Sequence, residues 1–142
     1  MRKILVAIDG SEQSFKAARY AIDMIKRIGS DASIILLHVV SIPQFPHHLG
    51  SLDEYYMKIT REVDDWFNTI SSWDESKGIN ISRKVIHSHT SIVEAIVEYA
   101  EEEGVDLIVI GTRGRSRFIR ALLGSVAQGV VTYARCPVLV VR

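Results

Sequence analysis

The chain has one cysteine, Cys136, among its 142 residues. No internal disulfide can form, which fits a reducing compartment. Neither sign of charge is in excess: 17 Lys and Arg face 17 Asp and Glu. A protein that gripped nucleic acid or an acidic membrane over its whole surface would carry a basic surplus, so any working charge here is local. Long hydrophobic runs are missing too. No stretch approaches the about 20 apolar residues of a membrane span. The opening run Ile4 to Ile8 stops at Asp9, short of the about 7–15 apolar residues of a signal-peptide core. These absences point to a soluble cytoplasmic protein with no nucleic-acid or membrane partner. The sequence also has no internal repeat and no low-complexity segment. Its length suits a single domain over residues 1–142 with a core of useful size.

What is present is alternation. Ile4–Ile8, Ser33–Val40, Leu107–Ile110 and Val138–Val141 are continuous, β-rich apolar runs. Continuous runs of this kind mean strands covered on both faces, as in a parallel sheet. Ile81–His87 is weaker and alternating, and suits an edge strand. Amphipathic stretches lie between the runs. Ser11–Ile28 starts at a favoured N-cap residue and stops at Gly29. Leu52 to about Lys77 repeats its apolar positions at spacings of four and three. Ser91–Glu103 ends before Gly104, and a last helix covers roughly Ile119–Ala134. The order β-α-β-α-β-α-β-α-β predicts an open, doubly wound α/β fold with right-handed crossovers. The one long connection, Ser41–Gly50, reads as a loop.

In such sheets ligands sit beyond the carboxyl ends of the strands, where strand order reverses. The first strand is followed by Asp9-Gly10-Ser11. The fourth is followed by a segment that opens Gly111-Thr112-Arg113-Gly114 and later reaches Gly124-Ser125-Val126. Gly111 and Gly114 let main-chain N–H groups approach a phosphate closely. Gly124-Ser125 opens a helix, whose start offers free N–H groups and the positive end of its dipole. Ser125 adds a hydroxyl, and Arg113, Arg115, Arg117 and Arg120 add local positive charge.

The pattern Gly111-x2-Gly114-x9-Gly124-Ser125 resembles the nucleotide-binding motif of the universal stress protein family. Lys3–Ser11 resembles that family's first strand and turn, Leu36–Val40 its second strand, and Cys136–Val141 its last. The least similar part is Ser41–Gly78. The resemblance implies five parallel strands in the order 3-2-1-4-5, a Rossmann-like fold of the adenine nucleotide alpha hydrolase type. It implies ATP, or AMP or ADP, as ligand, with Mg²⁺ carried on the phosphates. Val39 would then hold the adenine edge. Ala7, Ile8 and Asp9 would line base and ribose, and Gly111, Gly114, Gly124, Ser125 and Val126 would hold the phosphates, with Arg113 nearby. Asp9 would accept from the ribose or hold a water on the metal. The resemblance also implies a homodimer through the edge strand, residues 137–142.

Simpler readings stand beside these. Asp9 could cap the first helix, the arginines could be solvated surface, and Cys136 a structural thiol. His47-His48 reads as exposed loop, and His38 as a strand histidine with a structural partner. His87 and His89 lack further ligands at metal-binding spacing. Trp66 and Trp73 read as packing for the second helix. There is no Gly-x4-Gly-Lys-Ser/Thr loop, no nucleophile elbow and no His-x-x-His signature, and the third strand ends in His87 rather than an acceptor aspartate. The sequence therefore points to a nucleotide-responsive binding module in stress response, with no catalytic residue and at most slow ATP hydrolysis. A protein-interaction module independent of nucleotide is the alternative.

Overall fold

The computed structural model describes residues 1–42, 52–112 and 123–142. Its strands are β1 (Lys3–Ala7), β2 (Ser33–Ser41), β3 (Ile81–Ser88), β4 (Leu107–Gly111) and β5 (Val138–Val141). Its helices are α1 (Glu12–Ile28), α2 (Leu52–Ser72), α3 (Ile92–Glu102) and α4 (Ser125–Tyr133), and a single 3-10 turn spans Asp74–Ser76. The strands form one sheet in the order β3-β2-β1-β4-β5, and every pairing is parallel. This is the expected doubly wound arrangement, with β3 and β5 at the edges.

The two faces of the sheet bury different sets of side chains. Ile4, Val6, Ile8, Ile34 and Leu36 pack against α1 and α2. Leu5, Leu37, Val39, Ile108 and Ile110 pack against α3 and α4. Alternation along a strand sends neighbours to opposite faces, so a run buried throughout needs helices on both sides. Ile4, Leu5 and Val6 are all wholly inaccessible; burying each such side chain contributes about 1.5–3 kcal/mol.

Local chemistry fixes the helix ends. The Ser11 hydroxyl accepts from the Ser14 amide at 3.1 Å, capping α1. At its other end Gly29 adopts φ 64°, and the Ser30 amide reaches back to Ile25 O at 3.0 Å, a left-handed stop that suits glycine. Two boundaries differ from expectation. Helix α2 ends at Ser72, because Trp73 turns extended with φ −60° and ψ 142°. Helix α4 starts at Ser125, with Gly124 extended as its N-cap; the earlier start expected at Ile119 lies outside the described residues.

Candidate functional site

The strand order reverses between β1 and β4: the connection from β1 leads to β2 on one side, and β4 lies on the other. The helices that follow these two strands, α1 and α4, cover opposite faces. In open α/β sheets a ligand crevice is expected at such a reversal, here beyond the carboxyl ends of β1 and β4, where the heads of α1 and α4 lie on opposite faces. Ala7, Ile8, Asp9, Gly111, Gly124, Ser125 and Val126 stand at or next to the ends of β1 and β4 and the start of α4. Arg113 and Gly114, and with them Arg115, Arg117 and Arg120, lie outside the described residues, as do His47 and His48.

On the α3/α4 face, Val39 is buried in one apolar cluster and Ala7 and Val126 pack against it. Strand β2 runs on past β1: the pairing ends at Ala7 opposite Leu37. The Ile8 amide then donates to Leu37 O at 2.8 Å. Main-chain groups of alternate residues point to the same side of a strand, so those of Val39 face the space beyond β1. Ile8 itself turns its side chain into the α1/α2 core.

Asp9 and Ser11 share the work of starting α1. Asp9 Oδ1 accepts from the Ser11 amide at 2.9 Å, which shapes the turn, while Ser11 is the cap. Asp9 is thus a turn brace and not the helix cap that the simpler reading allowed. Gly10 follows with φ 81°, and a Cβ there would stand 2.3 Å from the Trp66 indole. Only glycine meets both conditions.

At the end of β4, Gly111 and Thr112 are buried. A Cβ on Gly111 would stand 2.9 Å from the backbone of Gln13. The missing side chain lets the first turn of α1 touch the strand end. The Thr112 amide donates to Val141 O at 2.8 Å, and the Thr112 carbonyl accepts from the Gly124 amide at 2.6 Å. That pair of bonds holds the head of α4 at the end of β4. Within α4 the Gln128 amide returns to Gly124 O, so the amides of Ser125, Val126 and Ala127 precede the first helical rung and form its donor end. Gly124 brings no side-chain cap to occupy them.

Three residues here escaped sequence reasoning. Thr112 is a main-chain link, and any residue type could supply it. Gln13 Oε1 is buried beside the crevice with no hydrogen-bond partner among the described residues, an exception of a kind native structures rarely leave without purpose. His38 contacts Ile8 and Trp66; its place in the strand was legible, its partners were not.

Trp66 and Trp73 pack against the α1/α2 core. His87 rests edge-on to Tyr56, and no group of three potential metal ligands occurs among the described residues. Cys136 is half-buried, and burial pushes its thiol above the ordinary value. It lines a cavity of about 210 Å³ with Val105, Ile108 and Ala134, at the amino ends of β4 and β5 and so away from the crevice. No helix among the described residues is long and apolar enough to cross a membrane.

A parallel sheet in the order β3-β2-β1-β4-β5 with helices on both faces defines a Rossmann-like α/β protein. The sequence model of the universal stress protein family matches residues 1–142, and the chain belongs to that family. It is 36% identical over 149 residues to the universal stress protein MJ0531 of Methanocaldococcus jannaschii, covering 99% of this chain and 82% of the relative. The solved structure of MJ0577, from the same organism, superposes with a TM-score of 0.79 at 30% identity, covering 99% of this chain and 94% of that one. A universal stress protein from Archaeoglobus fulgidus, solved in complex with dAMP, has a TM-score of 0.71 at 24% identity, covering 100% and 98%; at that distance it speaks for the fold.

Proposed function

We propose that this protein binds an adenine nucleotide in the β1/β4 crevice and acts as a nucleotide-responsive regulatory module in stress response. The observation that carries the reading is the junction of Thr112, Gly124 and Ser125. It supports the reading because the N-cap Gly124 brings no side chain to the start of α4, and helix-start amides with a helix dipole suit a phosphate group. The apolar border of Ala7, Val39 and Val126 suits a base, and the Val39 main chain suits its edge. Arg113 and Gly114 complete the phosphate motif in sequence. ATP is the ligand proposed, with AMP and ADP as competitors for the same place.

Mg²⁺ is proposed as an ion carried by the phosphates. Such an ion keeps several waters, and it would supply charge neutralisation. Asp9, already accepting from Ser11, would accept from one of those waters or from the ribose. No nucleophile or general base is assigned, so hydrolysis is proposed at most as a slow side reaction. The working place is the cytoplasm.

Residues 137–142 are proposed as the contact of a homodimer. All four residues of β5 are half-buried, and among the described residues β5 pairs only with β4. An apolar edge of this kind invites pairing with a second copy.

Mass spectrometry of small molecules released from the purified native protein tests the ligand. ATP, ADP or AMP recovered at near one equivalent per chain supports the proposal. Protein that carries none, and takes none up when incubated with ATP, overturns it.

A further inference from the structure

The first residue past β1 is held by a side chain. His38 Nδ1 lies 2.7 Å from Ile8 O. A carbonyl only accepts, so Nδ1 carries the hydrogen. The opposite side of the same residue is tied by main chain, Ile8 N to Leu37 O at 2.8 Å. In a parallel ladder the next rung would run from the Val39 amide to Ile8 O. The ladder stops before that rung, at Ala7 opposite Leu37, and the imidazole takes the carbonyl. Its ring is itself fixed edge-on by Trp66, with centroids 5.2 Å apart and planes at 80°, while the same indole fills the space over Gly10.

We propose that His38 is a positioning residue of the nucleotide crevice: by occupying the Ile8 carbonyl it ends the β1–β2 ladder one rung early and keeps the Val39 amide for the ligand's adenine edge. Val39 is the last described β2 residue whose main chain faces beyond β1 while its side chain is buried. An amide spent on a sheet rung could not also donate to a ring nitrogen. His38 touches no ligand itself; it acts through Ile8 and Val39. This inference rests on the nucleotide reading.

Two variants separate this role from a merely structural one. His38→Asn keeps a donor where Nδ1 stands, and His38→Leu removes it. Amide hydrogen exchange on the nucleotide-free protein reads the ladder, and calorimetry with ATP reads the site. In the wild type and His38→Asn the Val39 amide exchanges fast. In His38→Leu it captures Ile8 O and slows at least about ten-fold, while ATP affinity falls about ten-fold, the size of one lost hydrogen bond at the upper end of the usual range. His38→Asn restores affinity to within about three-fold on the same reasoning. Unchanged Val39 exchange in a folded His38→Leu variant overturns the proposal. So does wild-type ATP affinity in that variant. A wild type that ignores ATP, with the Val39 contrast intact, overturns the nucleotide reading and leaves the ladder stop standing.

Discussion

The Gly124 amide donates to the Thr112 carbonyl at 2.6 Å, so the two residues that flank the four-arginine segment 113–123 clasp each other. The Thr112 amide in turn reaches Val141 on the edge strand. The start of α4, the end of β4 and the end of β5 are one hydrogen-bonded unit, and the predictions below probe its parts.

Ser125 is exposed and is not the cap of α4, a place held by Gly124. Ser125→Ala should leave stability within about 0.5 kcal/mol. It should weaken ATP about two- to ten-fold, the range for one lost hydrogen bond. Thermal melting and titration calorimetry check the two halves, and a folded variant with unaltered affinity would remove the hydroxyl from the site.

Gly111→Ala presses a methyl group into the backbone of Gln13, 2.9 Å away. Backbone cannot swing aside as a side-chain end can, so a cost of about 1–3 kcal/mol is expected. Urea denaturation measures it. A neutral substitution would mean that the head of α1 is not seated on β4.

Gln13→Met replaces a buried amide oxygen that has no hydrogen-bond partner among the described residues with an apolar group of similar length. Removing that desolvation penalty should raise stability, by up to about 1–3 kcal/mol. The same change should lower ATP affinity if the oxygen takes a donor from the bound nucleotide, a trade of stability against function. Melting temperature and ATP affinity moving in the same direction would contradict this.

Val140 tests the dimer. Thr112 N meets Val141 O and Ile108 N meets Pro137 O, so the main chain of Val140, one residue out of step, faces the open edge. Val140→Pro removes an outward N–H and leaves the bonds to β4, a placement that sheets accept at an edge. Sedimentation should show a folded monomer where the wild type is a dimer; an unchanged dimer would move the interface elsewhere.

Asp106 accepts from the amides of Arg2 at 2.7 Å and Lys3 at 2.9 Å. These bonds hold its carboxyl below the ordinary value. A carboxylate depressed in the folded state stabilises above its unfolded value, near 3.8, and the benefit vanishes as pH falls through the folded one. Asp106→Asn should therefore flatten the acid side of the stability profile. An identical slope in both proteins would contradict it.

Much of the fold was legible because short-range pattern and long-range burial agree in it. Strands covered on both faces leave unbroken apolar runs, and Ser11, Gly29 and Ser91 mark helix ends by their own side chains or their lack of one. The end of α2 was not legible. Trp73 continues the apolar period, yet reaches its edge contact with Phe15 from an extended backbone, and periodicity does not register a change of backbone at constant burial. In the site, the location of the glycines could be read from spacing and from a family resemblance. The neighbours of those glycines could not. Gly111 meets Gln13 and Gly10 meets Trp66 across long loops of chain, and such pairs come from topology, not from local pattern.

The central claim is that main-chain amides of Val39, of the carboxyl end of β4 and of the start of α4 form a seat for adenine nucleotide. Titration calorimetry of ATP into purified, nucleotide-stripped protein tests it most directly. The account predicts saturable binding at one site per chain, weakened by Ser125→Ala. Absence of saturable heat at several temperatures, from a protein whose melting curve shows it folded, would contradict it.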